Sequence, residues 1–149
     1  MRTIFQTSDV QFIKNIISPV YEELAYDDSP TLEKFVPEGI WFVLVDGSDV
    51  AGFISLKKLN NIMWECHVYV FEMYRGQGTE QWGKQVAREM SRKYGARKFL
   101  AITPYEAAKK YAERIGFKYL CTLKHSIKKD GKTLNQFLLE MDSPEGEHV

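Results

Sequence analysis

The sequence has little of what would take it out of the ordinary soluble class. Its 149 residues include two cysteines, three histidines and five prolines. With no CxxC and no Cys/His cluster, neither a zinc site nor a redox pair has a framework here, and no metal is expected. Cys66 and Cys121 each stand in an apolar, strand-like context and read as buried free thiols of a reducing compartment. Net charge is also missing. Lys plus Arg number 20 and Asp plus Glu number 20, so no nucleic acid and no anionic membrane is expected as the main partner. No apolar run reaches the length of a membrane span, and MRTIFQTSDV lacks the apolar stretch of a signal segment, so a cytoplasmic protein is expected. Internal repeats, low-complexity tracts and linkers are absent too. Residues 1–142 are therefore expected to form one domain, with 143–149 a flexible polar tail.

What is present is enough for a core. Hydrophobic residues make up 44% and charged residues 27%, a globular profile at a length that needs no disulfide support. Thr3 to Thr7 reads as a strand, and Ser8 and Asp9 offer capping oxygens to a helix whose stripe is Phe12, Ile13, Ile16 and Ile17. Pro19 disturbs that helix, and Thr31 to Val36 reads as a short helix closed by Pro37 and Gly39. Ile40 to Val45, Val50 to Leu59 and Ile62 to Phe71 are three antiparallel strands joined at Asp46-Gly47 and Asn60-Asn61. A helix carrying Trp82, Val86, Met90 and Tyr94 on one face ends at Gly95. Phe99 to Ile102 is a strand, Thr103-Pro104 starts a helix that stops at Gly116, and Phe117 to Ile127 and Thr133 to Met141 pair across Asp130-Gly131. This order implies an α/β (α+β) fold: a mixed, mostly antiparallel sheet of about seven strands with helices on both faces.

The sharpest local signal is Val70-Phe71-Glu72-Met73-Tyr74-Arg75-Gly76-Gln77-Gly78, between a strand and a helix. Glycine lets the backbone approach a ligand and take positive φ. Free amides and the dipole at a helix start attract phosphate, and Arg75 adds charge. A plain tight turn with an exposed arginine would show the same four residues, so the flanking order of elements matters.

That order resembles the GNAT superfamily of N-acetyltransferases. Val70 to Gly78 is similar to its fourth-strand ending and pyrophosphate loop, FVLVDGSDVAGFISL to its second hairpin, and YEAAKKYAERIGF to its late helix ending in Gly-Phe. The likeness runs from about Ile40 to Met141. It implies that the fourth and fifth strands splay and hold acetyl-CoA as acyl donor. The pantetheine arm would run along Val68, Tyr69 and Val70, and the diphosphate would meet amides from Arg75, Gly76, Gln77 and Gly78 to Thr79 and Glu80. It also implies direct transfer of an acetyl group to a small-molecule or protein amine, and it is compatible with a homodimer.

The chain departs from the family pattern at several positions. Met73 stands where Arg or Gln is usual, and Thr79 and Glu80 follow the second glycine. Tyr105 takes an asparagine position, and Ala112 the position of the tyrosine that protonates the CoA thiolate. Tyr111, one residue away and turned by about one helical step, is the candidate phenol for that role. The glutamate and the alanine make the chain similar to divergent GNAT-like proteins of bacteriophages, some linked to virion assembly. The alternative is therefore a non-catalytic GNAT-fold protein, such as a phage assembly or interaction module.

For a base, Glu65 and His67 alternate to one face of the fourth strand with Tyr69. His67 titrates near neutrality when unperturbed, and Glu65 would serve if desolvation raised its pKa. Both could equally be surface residues. Cys66 points the other way, which leaves covalent catalysis without a framework. Trp41, Trp64 and Phe35 are either core aromatics or acceptor-pocket walls.

Overall fold

The computed structural model describes residues 1–76 and 78–144, so Gln77 of the glycine loop and residues 145–149 of the expected tail lie outside the described residues. The chain opens with β1 (Arg2–Thr7) and α1 (Val10–Ile17). Asp9 is the cap: its Oδ1 accepts the Phe12 amide at 3.0 Å, satisfying one of the amides that a first turn leaves without an acceptor. Pro19 ends the α-helix as expected. Ser18–Val20 tightens into a 3-10 turn, and a single turn, α2 (Tyr21–Leu24), follows.

The helix expected over Thr31 to Val36 does not form. The Lys34 and Phe35 amides both turn back to the Thr31 carbonyl, at 3.0 and 2.9 Å, closing one turn. Pro30 and Pro37 bracket too few residues to offset helix nucleation, and Pro37 disfavours helical geometry at Val36.

Next come β2 (Ile40–Asp46), β3 (Asp49–Lys58) and β4 (Met63–Val70), then α3 (Glu80–Tyr94), β5 (Lys98–Thr103), α4 (Glu106–Ile115), β6 (Lys118–Lys129) and β7 (Lys132–Asp142). Thr103 belongs to β5, and Tyr105 rather than Thr103-Pro104 marks the start of α4. At the β6–β7 turn Asp130 and Gly131 have φ of 53° and 78°, the mirror-image turn that matches strand twist.

Among the described residues the strands form one seven-stranded sheet in the order β1-β2-β3-β4-β5-β7-β6. Every pairing is antiparallel except β4 with β5. Strand alternation sends Ile54, Leu56, Trp64 and Val70 into a core with Trp82, Met90 and Ile115 of α3 and α4. Trp41 and Phe53 go to the opposite face, against Ile13, Ile17 and Tyr21. Helices thus cover both faces.

Two departures concern the cysteines and Trp64. Cys121 is exposed, not buried, because β6 is the outer strand of the sheet, and Cys66 is half-buried at the cavity wall. Trp64 is core, not pocket wall: it is 6% exposed and packs at 5.9 Å on the Tyr94 ring.

Gly52 marks the closest approach of β3 to β4. A Cβ there would lie 2.1 Å from the Tyr69 carbonyl oxygen, a main-chain atom with no rotamer to escape into. Gly52→Ala is expected to destabilise the domain by about 1–3 kcal/mol in urea unfolding. A variant as stable as the parent would show that β4 yields at this point.

Candidate active site

The site exists because two parallel strands stop pairing. β4 and β5 are in register only across Met63–Lys98, Trp64–Phe99 and Glu65–Leu100. Beyond these, β4 keeps β3 and β5 keeps β7, so the two strands diverge while each stays paired on its far side. Where the ladder ends, the Cys66 thiol donates to the Leu100 carbonyl at 3.3 Å. Burial pushes this thiol up to about 12, with the Glu65 carboxylate adding to the shift.

The Phe71 amide donates to the Ala51 carbonyl at 2.8 Å, so alternation turns the main-chain groups of Val68 and Val70 away from β3 and into the gap. The Val70 carbonyl there accepts Arg75 Nε at 2.8 Å. The guanidinium also lies 5.2 Å from the centre of the Tyr69 ring. Arg75 is thereby folded back over the strand end and shapes the loop. The Val68 carbonyl and the Val68 and Val70 amides face the cleft.

The loop that follows depends on its glycines. Gly76 and Gly78 have φ of 132° and 82°, where a side chain would be strained. Thr79 begins α3, and no side chain caps that end among the described residues. Its hydroxyl, 2% exposed as a residue, turns inward to the Gly76 carbonyl at 2.9 Å. Two groups from α4 hold the same residue. Tyr111 donates its phenol to the Thr79 carbonyl at 2.7 Å, and Arg114 Nη2 lies 3.4 Å from the Thr79 hydroxyl. Burial raises the Tyr111 pKa, against the pull of Arg114. Glu80 occupies the first turn of α3.

Two basic residues at this loop had no sequence signal for the role. Arg114 lies one turn after Tyr111 on α4. Arg2 is brought there by β1–β2 pairing: it lies 3.6 Å from Asp46 and 4.7 Å from the centre of the Trp82 ring.

On the α1–α2 face of β4, Glu65 and His67 meet. His67 Nε2 and Glu65 Oε2 are 2.7 Å apart. That hydrogen bond lowers the Glu65 pKa and outweighs burial, which acts the other way. The expectation that desolvation would make Glu65 a base is therefore overturned, because its carboxylate is stabilised by the imidazole. Tyr69, next on this face, donates to Glu23 at 2.6 Å.

A cavity of about 1770 Å³ runs from the Gly76–Glu80 loop between β4 and β5 to the α1–α2 face. Small-ligand pockets usually measure ~300–1,000 Å³, so this one has room for an extended cofactor and a second substrate together. His67, Val68, Tyr69, Val70, Arg75, Gly76, Gly78, Thr79, Glu80 and Tyr111 all line it. The structure thus brings nearly all the expected site residues to one cavity. Glu65 stands behind His67. Phe35 and Trp41, but not Trp64, are also on its wall.

Comparison with known proteins agrees with this geometry. Residues 8–117 match the model of the acetyltransferase (GNAT) family. Sequence comparison with curated proteins gives no match. Ribosomal-protein-S5-alanine acetyltransferase from Vibrio fischeri superposes with a TM-score of 0.76 at 16% identity, over 97% of this chain and 94% of that one. Spermidine N-acetyltransferase from Vibrio cholerae, in complex with CoA and spermine, gives 0.76 at 13% identity, over 98% of each chain. YncA from Salmonella typhimurium, with its cofactor acetyl-CoA, gives 0.74 at 17% identity, over 97% and 95%. At these identities the likeness is one of fold, and none of the three is a bacteriophage protein.

Two outcomes are expected from these contacts. Tyr111→Phe removes one of two donors to the Thr79 carbonyl, since the Trp82 amide remains at 3.2 Å. It should cost about 0.5–1.5 kcal/mol in urea unfolding, and an unchanged unfolding free energy would mean the contact has no weight. Iodoacetamide at pH 8 should label the exposed Cys121 and spare Cys66 until the protein unfolds. Equal labelling of both in the folded protein, read by mass spectrometry, would show that the cleft apex is open.

Proposed function

The chain belongs to the acetyltransferase (GNAT) family, and from that premise we propose that it moves an acetyl group from acetyl-CoA to an amine by direct transfer in the cleft between β4 and β5. The observation that carries this reading is the set of main-chain groups of Val68 and Val70 left facing the gap, directly upstream of an uncapped helix start. Buried peptide groups need partners. An extended amide-bearing chain satisfies them as an added strand does, and the pantetheine arm of CoA is such a chain. The diphosphate fits at the amides beginning α3, where the dipole, Arg2 and Arg114 add positive potential. Glu80 fits there with its carboxylate turned away from the diphosphate.

Bound acetyl-CoA supplies the activated thioester. The chain supplies the rest. Donors at Val68 and Val70 orient the thioester and favour charge on its carbonyl oxygen. His67 accepts a proton from the incoming ammonium, so that a neutral amine attacks. Glu65 holds the imidazole by its Nε2, which leaves Nδ1 to take the proton. The ring-lined wall limits water, which would otherwise compete for the acetyl group. Tyr111, with its phenol committed to the Thr79 carbonyl, supports the loop, and the attacking nitrogen gives its second proton to the leaving sulfur as the amide forms.

Calorimetric titration with acetyl-CoA tests the reading. The parent is expected to bind. Gly78→Asp is expected to bind about tenfold more weakly or worse, because a carboxylate would oppose the diphosphate and φ of 82° would strain the residue. His67→Ala should keep its affinity and lose about a hundredfold in turnover. Absence of binding by the parent at millimolar acetyl-CoA would overturn the proposal.

A further inference from the structure

The wall of the cavity away from the loop is made of rings. Tyr21, Phe35, Trp41, Phe53 and Tyr69 follow one another at centroid distances of 5.6, 6.4, 5.6 and 5.9 Å, and all five line the cavity. Phe35 and Tyr69 are part-exposed, while the other three are largely buried. The ladder ends at Tyr69, two residues along β4 from His67 and on the same face. A ligand lying on these rings has its far end at the base.

The charge on this wall is close to balance. Glu23, Glu38 and Glu65 stand against Lys34 and Lys57, with Lys57 beside Glu65 and Glu23 engaged by the Tyr69 hydroxyl. A polyamine, with several positive charges along its length, finds no matching row of carboxylates.

The wall is also braced by the rest of the sheet. Residues 23–26 line the cavity, and the tip of the β6–β7 hairpin grips them from behind. Lys129 Nζ donates to the carbonyls of Glu22, Glu23 and Ala25 at 3.2, 2.8 and 2.6 Å. Asp27 accepts the Asp130 and Gly131 amides at 2.7 and 2.9 Å. Register shifts in β6 at Tyr119/Cys121 and Leu123/Ile127 bend the hairpin toward this segment. Across the cavity Tyr26 meets Tyr105 at the start of α4, and burial followed by that contact raises its phenol to about 12.

We infer that the acceptor is a small primary amine with a flat aromatic body, seated on the ring ladder with its nitrogen at His67. The inference rests on the acetyltransferase reading above. The rings supply stacking and edge contacts, the near-balanced charge suits a single ammonium, and the hairpin holds the ring-bearing wall in place.

The test compares 2-phenylethylamine, spermidine and an alanine-terminated hexapeptide as acceptors at saturating acetyl-CoA, following release of CoA thiol. The expected kcat/KM for 2-phenylethylamine exceeds the other two by about tenfold or more. Phe35→Ala should raise its KM about tenfold, with kcat within about twofold and acetyl-CoA affinity unchanged. Phe35→Leu, which keeps bulk and removes the ring, answers the same question if the alanine variant does not fold. Without acetyl-CoA, 2-phenylethylamine should change the tryptophan emission of the parent saturably, through Trp41, and spermidine should not. Preference for spermidine or the peptide, or no response of KM to either Phe35 variant, overturns the inference. If acetyl-CoA binds in calorimetry while the peptide is the better substrate, the acceptor inference alone falls. If acetyl-CoA does not bind, the acetyltransferase reading falls and takes this inference with it.

Discussion

Everything at this site follows from the premature end of one parallel ladder. Once β4 and β5 part after Glu65 and Leu100, main-chain groups that a continuous sheet would pair are left facing a gap. Such groups are costly to bury alone. Two side chains of the protein take up part of the deficit: the Cys66 thiol at the Leu100 carbonyl and the Arg75 guanidinium at the Val70 carbonyl. What they leave open, at Val68 and at the Val70 amide, is what an extended ligand can satisfy.

The strands alone would leave a slot without a floor for charge. The floor comes from the helices on the far face. Tyr111 and Arg114 of α4 both bear on Thr79, the residue that starts α3, and the buried Thr79 hydroxyl closes back on Gly76. Donors fixed before a ligand arrives need little rearrangement to receive it, which is how preorganised electrostatics gains its effect in a low-dielectric site. The departure at Ala112 acquires a physical meaning here. The phenol that stands one residue earlier on α4 is turned by about one helical step, and that step brings it to the loop's backbone.

The sheet separates two chemistries. Even-numbered β4 residues such as Val68 and Val70 pack toward α3 and α4, while His67 and Tyr69 face α1 and α2. A single strand therefore turns its main chain to the gap and the side chains of His67 and Tyr69 to the α1–α2 face.

Much of this was legible in the sequence, because its signals are local. Alternation and helical stripes gave most of the elements, their order along the chain and the mixed character of the sheet, whose strand order only the fold shows. Arg75, Gly76 and Gly78 between a strand and a helix marked the candidate loop, since positive φ is a property of a few adjacent residues. Asp9 capped the helix it was expected to cap. The misreadings had both local and tertiary causes. Thr31 to Val36 lacked the length to nucleate, Cys121 fell on the outermost strand, and Glu65 was tuned by a neighbour that only the strand's geometry placed at 2.7 Å. Arg2, Arg114, the ring ladder and the Lys129 grip on residues 22–25 join segments up to 107 positions apart in the chain. Sequence fixes what a residue and its immediate neighbours can do. Which groups meet across the cleft depends on where each strand's partner lies, and only the folded chain decides that.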